Sequence, residues 1–227
     1  MQAELKAASV HVLTALGVVC ALLALRAAIS GLNEQAFLWL GLALFIDGID
    51  GFFARRYRVK IVMPHVSGET LDLCVDYVTY VFVPTLMLLL AGKLQGIWGF
   101  ILAAIICLSS LYHFSDTGSK TADNCFVGFP AIWNIVAFYI FALSPPWWAT
   151  DLAIVLCAGL TFIRWKWVHP LRVVELRTIT VAATIVWSIA SAAVLYAGFP
   201  ANWLASAILI LVAVYGVGLS LHFGRAP

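Results

Sequence analysis

Residues 35–55 read QAFLWLGLALFIDGIDGFFAR, an apolar run that carries two aspartates, Asp47 and Asp50, near its end. A helix needs about 20 apolar residues to cross a hydrocarbon core roughly 30 Å thick. The whole chain is 63% hydrophobic and 11% charged, whereas soluble domains are about half apolar. The sequence therefore predicts an all-α protein that is embedded in a membrane.

Further apolar runs, separated by short polar breaks, predict a polytopic bundle of about eight transmembrane helices that forms a single domain over residues 1–227. The expected spans lie near residues 9–29, 35–54, 70–91, 96–113, 126–143, 149–165, 178–197 and 202–221. The start, Met-Gln-Ala-Glu-Leu-Lys, lacks a basic region followed by a cleavage site, so the first span is expected to be retained. A net charge of +2 gives no reason to expect a nucleic-acid partner.

The distribution of lysine and arginine predicts the orientation of the chain. If the N-terminus is cytoplasmic, the inside segments carry Lys6, the Arg55 to Lys60 cluster, Lys120, the Arg164 to Arg177 group and Arg225. Arg26 and Lys93 then lie near the outer side. By the positive-inside rule both termini are expected in the cytoplasm, and a chain of this kind fits a bacterial inner membrane.

Two pairs of aspartates flank the break between the second and third spans. Asp47 and Asp50 lie near the end of one span, and Asp72 and Asp76 lie near the start of the next. Helical spacing places each pair on one stripe, so the pairs can face each other on the cytoplasmic side. Charged groups near a bilayer are costly unless they are paired, and these spans hold few cations. The pattern predicts one or two divalent cations, and all-oxygen ligation suits Mg²⁺ or Mn²⁺.

Small residues share the same stripes. Gly51 and Ala54 follow the first aspartate pair, and Gly68 precedes the second. Residues without bulk leave room for a flat group such as a nucleotide to approach the backbone. Arg55 is then placed to hold a phosphate of that nucleotide.

The pattern D-x-x-D-G-x-x-A-R over residues 47–55, followed by G-x-x-x-D-x-x-x-D over residues 68–76, resembles the signature of the CDP-alcohol phosphatidyltransferase family. Twelve residues, Arg56 to Ser67, separate the two halves, which is a longer spacer than that family usually has. In this respect the chain is similar to the branch that makes phosphatidylcholine in bacteria. Five further features are similar to that branch: Asp47-Gly48, Pro64, and the segments 76–84, 126–134 and 168–172.

The resemblance implies a reaction and a set of site residues. Members of the family displace CMP from a CDP-linked lipid or alcohol, and this branch joins choline to CDP-diacylglycerol. The implied metal ligands are Asp47, Asp50, Asp72 and Asp76, holding two ions of Mn²⁺ or Mg²⁺, and Asp76 is also the implied base. The implied CDP-binding positions are Gly51, Ala54, Arg55 and Gly68. A homodimer is expected by analogy with relatives alone.

A pocket for choline needs aromatic faces and a nearby carboxylate, because a quaternary ammonium has no N–H to donate. Tyr80 lies one turn deeper than Asp76, and the polar break over residues 112–124 is expected on the same membrane face. The predicted choline-binding residues are Tyr80, Tyr112, Asp116, Asp123 and Trp133. Arg172 is predicted to bind the lipid phosphate. A solvated connection and interfacial aromatics remain the alternative interpretation of these residues.

Two other functions are compatible with parts of this pattern. The acceptor of the same reaction could be serine or another alcohol, although a phosphorylated one would need more basic residues near the third to fifth spans than Lys120. A transporter or metal channel also places acids in membrane spans. Its acids should be spread through the bilayer or repeated in two halves, whereas these four cluster at one face and residues 115–227 hold no second copy.

Overall fold

The computed structural model describes residues 1–119, 121, 125–168 and 176–223 of the chain. Its long helices are α1 (Gln2–Ile29), α2 (Asn33–Arg56), α6 (Gly96–Ser115), α9 (Arg177–Ala197) and α10 (Trp203–Phe223). The shorter ones are α3 (Val59–Val62), α4 (Gly68–Asp76), α5 (Val83–Leu90), α7 (Trp133–Leu143) and α8 (Trp147–Leu160). A π-helical segment, Tyr77–Phe82, joins α4 to α5, and two short strands are β1 (Phe126–Val127) and β2 (Lys166–Trp167).

Within the described residues, six segments are long and apolar enough to cross a membrane. They are Gln2–Ile29, Asn33–Arg56, Gly68–Leu90, Gly96–Ser115, Arg177–Ala197 and Trp203–His222. The prediction of an all-α, polytopic membrane bundle is thereby confirmed. The shorter apolar helices α7 and α8 lie where the fifth and sixth spans were expected. The count of eight and the cytoplasmic position of the termini stay predictions.

The fifth and sixth helices differ from the expected ranges of 126–143 and 149–165. Phe126 and Val127 pair with Trp167 and Lys166 as a small antiparallel ribbon, so α7 begins only at Trp133. The backbone at Gly128 has φ +78°, and a Cβ there would lie 2.3 Å from the carbonyl oxygen of Thr161. Because the two chain segments cross this closely, position 128 requires a glycine. Helix α7 begins after this crossing and α8 ends before it.

Small residues let the first helix approach its neighbours closely. Buried alanines recur along one face of α1, at Ala7, Ala21, Ala24 and Ala28. At Gly17, on the same face, an added Cβ would lie only 2.5 Å from Cγ1 of Val75 in α4. Membrane helices pack closely where side chains are small, and here this packing places α1 beside both α2 and α4.

The third membrane span changes its winding in the middle. The π-helical segment Tyr77–Phe82 begins directly after Asp76. Pro84 follows it, and proline has no N–H to donate to the carbonyl four residues earlier, at Tyr80. Wider π turns are a common response to such an interruption and are frequent at functional sites. The widened turn sets the direction of Tyr80 relative to Asp76.

An aromatic cluster and the aspartates occupy opposite ends of α2. Near the start of this helix, the ring of Phe37 makes edge contacts with Phe138, Phe141 and Phe199. Asp50 lies 13 residues further along, which is about 20 Å at the helical rise. The aromatic cluster therefore lies near one end of the bundle, and the aspartates lie towards the other end.

Candidate metal and active site

Four aspartates from two membrane spans converge on one pocket. Carboxylate oxygens of Asp47, Asp50 and Asp72 lie within 4.8 Å of one another. Asp76 lines the same space, which encloses about 210 Å³ including a part open to solvent. The residues lining this acidic pocket are Thr14, Gly17, Ala43, Ile46, Asp47, Asp50, Asp72, Val75, Asp76 and Thr79. The structure thus brings together all four aspartates that the sequence singled out.

The donor set of the acidic pocket fits a hard divalent cation. Asp50 is only 6% exposed, and the other three aspartates are partly buried. Among the described residues that line the pocket, none is basic. Opposing oxygen ligands on one such ion lie about 4–5 Å apart, since each metal–oxygen distance is 2.0–2.6 Å. The separation of at most 4.8 Å between the three carboxylates meets this requirement, and a cation would offset their mutual repulsion.

Two hydroxyl groups orient these carboxylates. Tyr80 donates a hydrogen bond of 2.6 Å to Oδ2 of Asp47. Thr14, on α1, donates one of 2.5 Å to Oδ2 of Asp50. A hydrogen bond to one oxygen fixes the rotation of a carboxylate and leaves its other oxygen to bind a metal.

The predicted CDP-binding positions lie on the same two helices as the aspartates but are not among the residues that line the acidic pocket. Gly51 lies one turn after Asp47, and Nη1 of the exposed Arg55 is 3.4 Å from where a Cβ of Gly51 would be. Ala54 packs against the small apolar cluster that contains Val59. Gly68 is the first residue of α4. These positions belong to the same two helix ends as the aspartates.

The predicted choline-binding residues lie in different places. Tyr80 is 9% exposed and contacts Asp47, as described above. Trp133 is 1% exposed, and its indole N–H donates to the hydroxyl of Ser110 at 2.8 Å. Trp133 also packs on Phe129, with ring centroids 5.2 Å apart. It is therefore a core residue that does not line the acidic pocket.

The remaining candidates for choline binding and lipid binding lie in or near the connections. Tyr112 is half exposed, and its ring is 4.9 Å from that of Phe162. Asp116 accepts a hydrogen bond of 2.8 Å from the backbone N–H of Gly118 just after α6. Neither residue is among those that line the acidic pocket. The predicted residues Asp123 and Arg172 lie outside the described residues.

The sequence interpretation missed the contribution of α1. Thr14 and Gly17 line the acidic pocket, although neither belongs to the aspartate pattern. A signal was present in the recurrence of small residues on one face of α1, from Ala7 through Gly17 to Ala28. That pattern predicts a helix packed closely against others, and Thr14 is the polar residue in its middle.

Comparison with known proteins identifies relatives of the kind that the aspartate pattern over residues 47–76 indicates. No protein-family model matches the chain. A phosphatidylcholine synthase of Pseudomonas aeruginosa is 43% identical over 186 residues, which cover 82% of this chain and 78% of that protein. One of Mesorhizobium japonicum is 45% identical over 184 residues, covering 81% and 69% of the two chains. One of Brucella melitensis is 40% identical over 220 residues, covering 97% and 78%.

The matched regions span most of this chain and more than two thirds of each of these relatives. They are the proteins that the aspartate pattern and its long spacer led us to expect. The chain belongs to the phosphatidylcholine synthase family.

Proposed function

We propose that the protein transfers the phosphatidyl group of CDP-diacylglycerol to the hydroxyl of choline, which yields phosphatidylcholine and CMP. The observation that carries this proposal is the convergence of four aspartates in one pocket at one end of α2 and α4. The family of the chain supports the choice of substrates. The choline oxygen forms a bond to the phosphorus that carries the diacylglycerol, and the bond from that phosphorus to the CMP oxygen breaks.

The aspartates are proposed to hold two ions of Mn²⁺ or Mg²⁺. When bound, such ions supply positive charge to the diphosphate and to the leaving CMP. The hydrogen bonds from Thr14 and Tyr80 keep the carboxylates of Asp50 and Asp47 in a fixed orientation. Phosphoryl transfer depends mainly on such positioning.

Asp76 is proposed to take the proton of the choline hydroxyl. It lines the acidic pocket and is the last residue before the π-helical segment. An alcohol is a weak acid, so a base within hydrogen-bond reach assists its attack. Direct attack on phosphorus requires no covalent intermediate on the protein.

The nucleotide is proposed to lie over the small residues at the mouth of the site. Gly51, Ala54 and Gly68 offer little bulk, which suits close approach of a flat base or a phosphate to the backbone. Arg55 is exposed at the end of α2, with its guanidinium beside Gly51, and can hold a phosphate oxygen.

For the choline pocket, Tyr80 has the strongest structural support because it contacts an aspartate of the site. The choline-binding roles of Tyr112, Asp116, Asp123 and Trp133, and the lipid-binding role of Arg172, stay predictions.

We also propose that the site faces the cytoplasm from a bacterial inner membrane, in line with the positive-inside pattern of the connections. The homodimer stays a prediction by analogy.

An acceptor panel tests the proposed function. Purified protein is incubated with CDP-diacylglycerol and Mn²⁺ or Mg²⁺, and choline, serine, inositol or glycerol 3-phosphate is added separately while CMP release is measured. CMP release with choline alone is the expected result. Release with serine or a phosphorylated alcohol would keep the transferase chemistry and overturn the acceptor. No release with any acceptor would overturn the proposal.

A further inference from the structure

His11 lies on α1 one helical turn before Thr14, on the same side of the helix. Thr14 lines the acidic pocket and donates to Asp50. Three residues along a helix correspond to an axial rise of about 4.5 Å. His11 is therefore next to the acidic pocket, on the side nearer the N-terminus of α1.

The imidazole of His11 packs against Gly68. A Cβ built on Gly68 would lie 3.2 Å from Cε1 of His11 and 3.7 Å from Nδ1. A larger residue at position 68 would therefore press on this ring. Gly68 is the first residue of α4 and one of the positions proposed to contact the nucleotide. The ring of His11 therefore covers one side of Gly68.

The Nε2 atom of His11 is buried and has no hydrogen-bond partner in the part of the chain that the structure describes. A buried polar atom without a partner costs free energy, and native proteins rarely contain one without a reason. A residue that only filled space against Gly68 would avoid this cost if it were apolar. A partner that arrives with the substrate would supply the missing hydrogen bond.

From these contacts we propose that Nε2–H of His11 donates a hydrogen bond to the CMP part of CDP-diacylglycerol. The inference rests on the proposed function. The CMP part presents phosphate and carbonyl oxygens, which are acceptors for an N–H donor. His11 then contributes to binding of the donor substrate and of the CMP product, and it makes no contact with choline.

Three variants separate this role from packing. His11→Phe keeps a ring against Gly68 but has no donor. His11→Gln places an amide nitrogen near the position of Nε2, whereas the shorter His11→Asn cannot reach it. For each purified variant, KM is measured for CDP-diacylglycerol and for choline, and the Kd of labelled CMP is measured by equilibrium dialysis.

We expect His11→Phe and His11→Asn to raise both the KM for CDP-diacylglycerol and the Kd of CMP about 10- to 100-fold, and His11→Gln to restore most of the loss. The KM for choline should stay within about twofold, since the donor site alone has changed. If His11→Phe does not fold, the comparison of Gln with Asn decides the matter.

Equal CMP affinity in the Gln and Asn variants would overturn the role of His11, as would a rise in the KM for choline alone. These results leave the proposed function intact, because the wild-type protein would still release CMP with choline. Failure of the wild-type protein to release CMP with any acceptor would instead overturn the proposed function.

Discussion

The hydroxyl of Thr14 lies 2.5 Å from Oδ2 of Asp50, so the first helix of the bundle orients a carboxylate of the second. Both residues are buried, with exposed fractions of 7% and 6%. Asp50 belongs to the aspartate pattern, whereas Thr14 lies 36 residues before it. The site is therefore built from α1, α2, α4 and the π-helical segment that follows α4.

Replacing Thr14 with Val keeps the shape of the side chain and removes its hydrogen bond to Asp50. We expect the Kd for Mn²⁺ to rise about tenfold or more, because groups that orient metal ligands typically contribute this much to metal affinity. Electron paramagnetic resonance of Mn²⁺ titrated into the purified protein measures the change without requiring turnover.

Thr14→Ser is the matched control, since it keeps the hydroxyl. It should bind Mn²⁺ within about threefold of the wild-type affinity. An unchanged Mn²⁺ affinity in Thr14→Val would show that the hydrogen bond to Asp50 does not orient a metal ligand.

Tyr80 combines a hydroxyl that donates to Asp47 with a ring proposed to face choline. Tyr80→Phe removes the hydroxyl alone, so we expect weaker Mn²⁺ binding and an unchanged KM for choline. Tyr80→Leu removes the ring as well, and the loss of a desolvated cation–π contact should raise the KM for choline about tenfold or more. Steady-state kinetics at saturating CDP-diacylglycerol, together with Mn²⁺ titration, distinguish the two effects.

The two substitutions at Tyr80 can contradict separate parts of the proposal. If the KM for choline is the same in the Phe and Leu variants, the ring of Tyr80 does not contact choline. Normal Mn²⁺ binding in Tyr80→Phe would leave the hydrogen bond to Asp47 without a role in metal binding.

The membrane spans could be predicted well because length and apolar character decide them, and the six long segments match expected spans. The boundary at Phe126 was wrong for a physical reason. Phe126 and Val127 continue the apolar pattern of the sequence, and only their pairing with the segment around Lys166 makes them a strand. Such a contact between distant residues leaves no mark on local periodicity.

The aspartates could be found from sequence because their helical spacing alone places each pair on one face. Thr14 and Gly17 could not be assigned to the site in this way, since their roles depend on which helix packs beside α2 and α4. The π-helical segment after Asp76 was also missed. Pro84 marks a break in the helix, but it does not reveal how the preceding turn rewinds.

Gly17 should be required for the close contact between α1 and α4. In Gly17→Ala the new Cβ would lie 2.5 Å from Cγ1 of Val75, which is itself buried. Such overpacking typically costs about 1–3 kcal/mol, so we expect a lower Tm in detergent and weaker Mn²⁺ binding. Thermal unfolding followed by circular dichroism measures the first effect.

Val75→Ala removes the methyl groups that the new Cβ would meet. The double variant Gly17→Ala/Val75→Ala should therefore be less destabilised than the sum of its single variants predicts. Additive losses of stability would mean that the two helices do not meet at this pair of residues.

The four-aspartate pocket is proposed to perform the transfer, with Asp76 taking the proton of choline. The most direct measurement is CMP release by Asp76→Asn with CDP-diacylglycerol and choline, combined with labelled-CMP binding. We expect turnover to fall about 100-fold or more, as is typical for loss of a general base, while CMP still binds. Turnover above about a tenth of the wild-type rate would exclude Asp76 as the base.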